Sequence, residues 1–169
     1  AIMDGRDTDP KSGAGFLADL QKKMDEIQLG EIATVTGRYY AMDRDKRWER
    51  LEKAYRNMVL RDGAVFASAA EGIQASYEAG VNDEFVVPFC VAQKNEAADA
   101  GEKSAACIRK DDSVIFYNFR PDRAREITRA LCDEAFDGFY RSGGAVKPHF
   151  VCFTQYDATM PNVLSLIHI

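Results

Sequence analysis

The sequence has no surplus of positive charge. Lys and Arg total 22 against 27 Asp and Glu, a formal net charge of −5. Nucleic-acid binders usually carry a basic balance or a basic stripe, and this chain has neither, nor aromatic stacking motifs. No C-x-x-C pair occurs. Cys90, Cys107, Cys132 and Cys152 are widely spaced, which argues against a zinc site or redox pair. Cys90 and Cys152 sit inside apolar runs and read as buried free thiols, and a reducing cytosol is inferred. The only histidines, His149 and His168, are far apart and belong to no metal motif, while Asp4, Asp7 and Asp9 lack calcium-loop spacing. No metal site is expected within the chain. There is no membrane-length apolar run or signal peptide. There is also no P-loop, G-x-G-x-x-G fingerprint or serine elbow.

What the chain does have is arginine placed just after expected strands. The placement recurs in Asp4-Gly5-Arg6-Asp7, in Gly37-Arg38 with Arg44 following, and in Asn118-Phe119-Arg120-Pro121-Asp122-Arg123. Ligands of open α/β sheets bind beyond the carboxyl ends of strands. Three such ends would aim guanidinium groups into one crevice, and guanidinium forks match carboxylates and phosphates. A small anion carrying both groups is the expected ligand.

At 169 residues and 46% apolar composition the chain can bury the core of one domain. It opens Ala1-Ile2-Met3, which reads as the end of a strand, so an incomplete domain is expected. Phe16, Leu20, Met24 and Ile27 repeat at helical spacing, with Gly30 as the expected cap. Residues 32–36 read as a strand broken by Gly37. A second helix covers about 46–60, with Trp48, Leu51, Tyr55, Met58 and Val59 on one face, and a third covers about 69–79. Pro88 interrupts the apolar run 85–91, which predicts an edge strand or bulge. Residues 94–104 read as a loop or insertion. A strong strand at 113–119 leads to Pro121, expected at the first helical position, and 150–154 is the last strand predicted. Strands alternating with helices indicate an α/β fold, a largely parallel sheet flanked by helices.

Arg120 and Arg123 form the sharpest pair, because they flank an expected helix start. Arg123 could instead pair with Asp122 or Glu126 on the surface. Arg38 follows a glycine at a strand end; Arg47 and Arg50 continue the charge into a helix and read as structural. Asp7, among arginines, should stay ionised and could orient a hydroxyl or accept its proton; a capping role in its loop is equally open. Asp83 and Glu84 could balance the arginines or belong to a solvated loop.

These stretches closely resemble the cofactor-independent (2,3-bisphosphoglycerate-independent) phosphoglycerate mutase family. The resemblance rests on Met3-Asp4-Gly5-Arg6-Asp7-Thr8, the run from Ala33 through Gly37-Arg38-Tyr39-Tyr40-Ala41-Met42-Asp43-Arg44 to Arg50, Asp83-Glu84-Phe85-Val86, Asn118 through Arg125, and Gln155-Tyr156-Asp157. It implies that residues 1–163 are part of an inserted substrate-binding (phosphotransferase) domain, with 164–169 an off-pattern tail where no strand is predicted. It implies that Arg6, Arg38, Arg44, Arg120 and Arg123 bind substrate and that Asp7 contacts its hydroxyls. It further implies 3-phosphoglycerate and 2-phosphoglycerate as partners, a phosphoserine route, a metal-binding phosphatase-like domain of the same full-length chain, and two manganese ions there. A cytoplasmic, monomeric enzyme of glycolysis and gluconeogenesis is the expectation. The family's serine, metal ligands, upstream histidine and downstream lysine have no counterpart here. From the residues alone, a stand-alone small-anion-binding or regulatory module without catalysis is the second reading.

Overall fold

The computed structural model describes residues 1–93 and 107–167, so the loop expected at 94–104 and His168 lie outside the described residues. Within these, the strands form two sheets rather than one. The first holds β1 (Ile2–Met3), β2 (Thr34–Gly37), β3 (Ala64–Phe66) and β4 (Phe89–Val91), in the order β1-β2-β4-β3. The second holds β5 (Ser113–Phe116), β6 (His149–Thr154) and β7 (Val163–Ile167), in sequence order. Four of the five pairings are parallel; β2 with β4 is antiparallel.

Helices α1 (Gly13–Ile27) and α4 (Ala69–Glu78) pack on the first sheet. Met3, Leu17, Ile32, Val35, Ala69, Ile73, Val86 and Phe89 form one core cluster there. The second core joins Leu51 and Tyr55 of α3 (Trp48–Leu60) to Ile127, Ala130 and Leu131 of α5 (Arg125–Cys132), Phe150 and Cys152 of β6, and Tyr156. Helix α3 therefore bridges the sheets: its buried Asn57 also donates to Cys90 Sγ in β4. Burial pushes the Cys132 thiol up to about 12, so this cysteine is an inert apolar group. The other face of the second sheet carries exposed Ile115, Phe153, Leu164 and Leu166.

Several expectations are corrected. Pro88 does not make an edge strand; it lies just before β4, which is internal to its sheet, so its missing N–H leaves the ladder intact. Helix α1 ends at Gln28, which takes the left-handed conformation (φ 54°), ahead of Gly30. Its Phe16, Leu20 and Ile27 are exposed, while Gly13 and Leu17 face the core. Pro121 opens a turn, accepting from Ala124 N–H, and the helix starts only at Arg125. Strand β2 starts only at Thr34; it ends at Gly37, as expected, which leads directly into a one-turn helix, α2 (Arg38–Ala41). Strand β3 lies where no element was predicted, and β7 occupies most of the expected structureless tail.

Candidate anion site

Strands β1 and β2 are parallel neighbours, so their carboxyl ends open on the same side. The loop after β1 carries Arg6 and Asp7, and the residue after β2 is Arg38. Segment 83–86 lies across both ends. A Cβ at Gly5 (φ 64°) would meet Asp83 Cβ and Glu84 N at 2.7 Å, and one at Gly37 would meet Glu84 O at 2.3 Å. Glycine at both places permits this close approach. Buried Asp83 then fixes the loop from below. Its Oδ2 accepts from Gly13 N at 2.7 Å, its Oδ1 accepts from Tyr77 Oη at 2.5 Å, and its own N–H donates to Pro10 O at 2.9 Å. Burial and this carboxylate push the Tyr77 hydroxyl up to about 12, so it remains a donor.

Arg38 is buried, and its Nη1 donates to Asp4 Oδ1 at 2.5 Å and to Asp7 Oδ2 at 2.8 Å. Asp4 Oδ1 also accepts from the Arg6 and Asp7 backbone. The Arg38 hydrogen bond and charge hold the Asp7 carboxyl below the ordinary range, with further lowering from Arg120 and Arg6. Arg6 itself is exposed and reaches Glu84 at 4.0 Å.

The second sheet supplies the opposite wall. Tyr156 Oη donates to Phe116 O and Asn118 O, and Thr154 Oγ1 donates to Phe119 O, which pins the segment leaving β5. Arg120 follows, exposed, its Nε donating to Asp122 Oδ1 at 2.9 Å. The other oxygen of Asp122 accepts from Arg44 Nη1 at 2.8 Å. Arg123 crosses to the first half, donating from Nη1 to Met42 O at 2.9 Å. Its pKa is lowered by burial first and then by repulsion from Arg38, Arg44 and Arg6.

Those mutual effects bring all six sequence-selected residues into one electrostatic neighbourhood. Arg123 feels three of the other arginines, and Asp7 feels Arg38, Arg120 and Arg6. Guanidinium groups held close enough to repel one another favour an anion between them, which makes this array the candidate anion site. Arg123 pairs with neither Asp122 nor Glu126 in a surface bridge; Asp122 instead joins Arg44 to Arg120. Arg47 pairs with Asp43 and Asp45, and Arg50 lies over the Tyr39 ring at 3.9 Å. Asp157 pairs with Arg129 and accepts from Thr159, which holds its carboxyl at about 2.

Sequence reasoning missed the carboxylates that organise the arginines: Asp4, Asp122, and the pair Asp43 with Glu126. The signal was their spacing from the arginines in the same motifs. A cavity of about 630 Å³ between α1 and α4, lined by Leu17, Gln21, Lys22, Asp25, Ile32 and Ala69 among others, includes none of the six. We place the site at the arginines, because a shallow charged array suits a small anion better than that apolar hollow.

Among the described residues no group of three His, Cys, Asp or Glu could hold a metal ion. Among the described residues the surplus of guanidinium groups at this site does not fit a divalent cation. No described helix is long and apolar enough to cross a membrane.

Known proteins were compared with this arrangement. The family model described as BPG-independent PGAM N-terminus matches residues 1–158. The 2,3-bisphosphoglycerate-independent phosphoglycerate mutase of Lachnoclostridium phytofermentans is 53% identical over 162 residues, covering 96% of this chain and 30% of the relative. The enzyme of that name from Clostridioides difficile is also 53% identical, over 163 residues, with the same shares covered. A crystal structure of Leishmania mexicana phosphoglycerate mutase at low cobalt concentration superposes with a TM-score of 0.81 at 32% identity, over 92% of this chain and 28% of that one. The chain thus spans about a third of the length of the relatives it matches.

Proposed function

The chain belongs to the BPG-independent PGAM N-terminal family, and from that premise we propose that it forms the substrate-binding part of a cofactor-independent phosphoglycerate mutase. Such an isomerase interconverts 3-phosphoglycerate and 2-phosphoglycerate. The convergence of five guanidinium groups from two sheets supports this reading most strongly. A phosphoglycerate carries a carboxylate and a phosphate, and each charge-assisted hydrogen bond to them contributes about 1.5–3 kcal/mol.

In this reading residues 1–163 hold the glycerate while its phosphoryl group visits a serine elsewhere in the full-length chain. The retained glycerate must turn without leaving, which needs several cationic anchors rather than one. Arg38 and Arg123, half-fixed by the protein, set the floor. Arg6, Arg44 and Arg120 close on the ligand from more exposed positions. Asp7 is the one carboxylate among the six selected residues, and its lowered pKa keeps it ionised at neutral pH. That makes it a good acceptor for a glycerate hydroxyl hydrogen and a weak base, so orientation of the hydroxyl is its role. Catalysis here consists of positioning and electrostatics. The metal ions of the full-length enzyme, manganese in this proposal, belong to a separate phosphatase-like domain, and the enzyme works as a cytoplasmic monomer in glycolysis and gluconeogenesis.

Phosphorus NMR of the complete polypeptide with 3-phosphoglycerate tests this directly. The expected result is accumulation of 2-phosphoglycerate to a fixed ratio. Binding of 3-phosphoglycerate without any isomerisation would replace the mutase reading with that of an anion-binding or regulatory module.

A further inference from the structure

A pair of carboxyl groups lies behind the arginines, outside the roles assigned so far. Asp43 is buried, and its Oδ2 accepts from Asp45 N at 3.0 Å and Arg47 N at 2.8 Å, while Oδ1 faces Arg47 Nη1 at 3.3 Å. Glu126, in the first turn of α5, accepts from Lys46 N at Oε1 (2.9 Å). Its Oε2 is buried and receives no hydrogen bond among the described residues. The two carboxyl groups lie close enough to act on each other electrostatically.

Two carboxylates so placed do not both ionise readily, and a buried oxygen without a donor is costly. Asp43 has three N–H donors and is the anion of the pair. Glu126 has one, and its Oε2 has none, so Glu126 is the member of the pair that holds a proton more readily. The electrostatics agree. Burial and the Asp43 charge raise the Glu126 pKa, with Asp45 adding to the effect and Lys46 N–H opposing it. Burial would raise Asp43 too, but the Arg47 and Asp45 N–H groups, the Arg47 side chain and Glu126 outweigh it.

We propose that Glu126 is a positioning residue for the anion site: its carboxyl group, which accepts the Lys46 N–H beside Asp43, ties the loop bearing Arg44 to the turn bearing Arg120 and Arg123. This rests on the mutase reading. The same seam carries Arg44–Asp122 and Arg123–Met42 O, so Glu126 with Lys46 N is the third stitch joining the two halves of the site. Loss of the proton puts two negative charges face to face across the seam and spreads the arginines. The groups acting on Glu126 come from the loop: Asp43, Asp45 and the Lys46 backbone; Arg47 lies beyond them, on Asp43 and Asp45.

The test is the pH dependence of KM and kcat for 3-phosphoglycerate in the complete enzyme, wild type against Glu126→Gln and Glu126→Ala. Wild-type KM should rise with pH as Glu126 ionises. Glu126→Gln, whose amide can donate to Asp43 and accept from Lys46, should keep the neutral-pH KM and lose that rise. Glu126→Ala should raise KM about tenfold at all pH, with kcat within about twofold, the order of one lost positioning hydrogen bond. An alkaline rise in Glu126→Gln equal to that of wild type overturns the proposal, as does an unchanged KM in Glu126→Ala. Should the alanine variant not fold, the glutamine profile alone decides. A wild type that makes no 2-phosphoglycerate overturns the mutase reading, and this proposal with it.

Discussion

Arg38 and Arg120 occupy equivalent places in two different sheets. Each stands just beyond the carboxyl end of a parallel strand, β2 or β5. Their surroundings differ. Arg38 is 6% exposed and clamped between Asp4 and Asp7 on the covered sheet. The side chain of Arg120 is 61% exposed and held by Asp122 alone, on the sheet whose other face is bare. The same residue type therefore serves as a fixed strut on one side and as an adjustable arm on the other. A ligand can draw Arg120 or Arg44 from Asp122 at little cost, because exposed ion pairs contribute only about 0–1 kcal/mol. Drawing Arg38 away would leave a buried guanidinium and the Asp4 and Asp7 carboxylates without their partners. On the proposed function, one wall of the site is thus preorganised and the other is free to follow a turning substrate.

The largest effect is expected for Arg38→Ala in the complete enzyme. It should lower kcat/KM by about a thousandfold and folding stability by about 2 kcal/mol, since it removes two charged hydrogen bonds from a buried group. A stability loss no greater than that of Arg120→Ala would break the contrast. Arg120→Ala should cost about a hundredfold in kcat/KM, near the value of one or two ligand bonds, with an almost unchanged melting temperature. Normal turnover would remove Arg120 from the site. Asp122→Asn frees both Arg44 and Arg120 of their common anion. It should change KM for phosphoglycerate by only about threefold, consistent with a weak exposed pair; a collapse of activity would show that Asp122 is a strut after all. The smallest effect is expected for Arg50→Ala, which loses the Tyr39 stacking, about 0.5–1 kcal/mol of stability, and leaves activity within about twofold. A loss equal to that of Arg120→Ala would place Arg50 in the site.

Much of this site is legible in the sequence because strand ends are local events. An apolar run, then glycine or asparagine, then arginine marks the exit of β2 or β5 whatever the sheet order. Helices α3 and α4 were equally readable: both lie close to the expected spans, and Leu51 and Tyr55 of the expected α3 face are buried. Helix α1 was not: Phe16, Leu20 and Ile27 satisfy that period as well as the true inner face does, and only the neighbouring sheet decides which face is covered. The division into two sheets depends on pairings between distant residues, such as Val65 with Cys90, that no local pattern records. β3 escaped notice because two of its three residues are exposed. Pro88 misled because a proline at the threshold of an internal strand looks the same, in sequence, as one inside an edge strand. The carboxylates Asp4, Asp122, Asp43 and Glu126 were visible as letters; what could not be read was which cation or acid each would meet across the seam.

The central claim is that the two sheets present one anion site. A double-mutant cycle on Arg38 and Arg120, read by calorimetric titration of the complete enzyme with 3-phosphoglycerate, tests it most directly. If both guanidinium groups hold the same bound anion, the two losses in binding free energy should fall short of additivity by about 1 kcal/mol or more. Strictly additive losses, or a loss in one variant only, would mean that the two walls do not share a ligand.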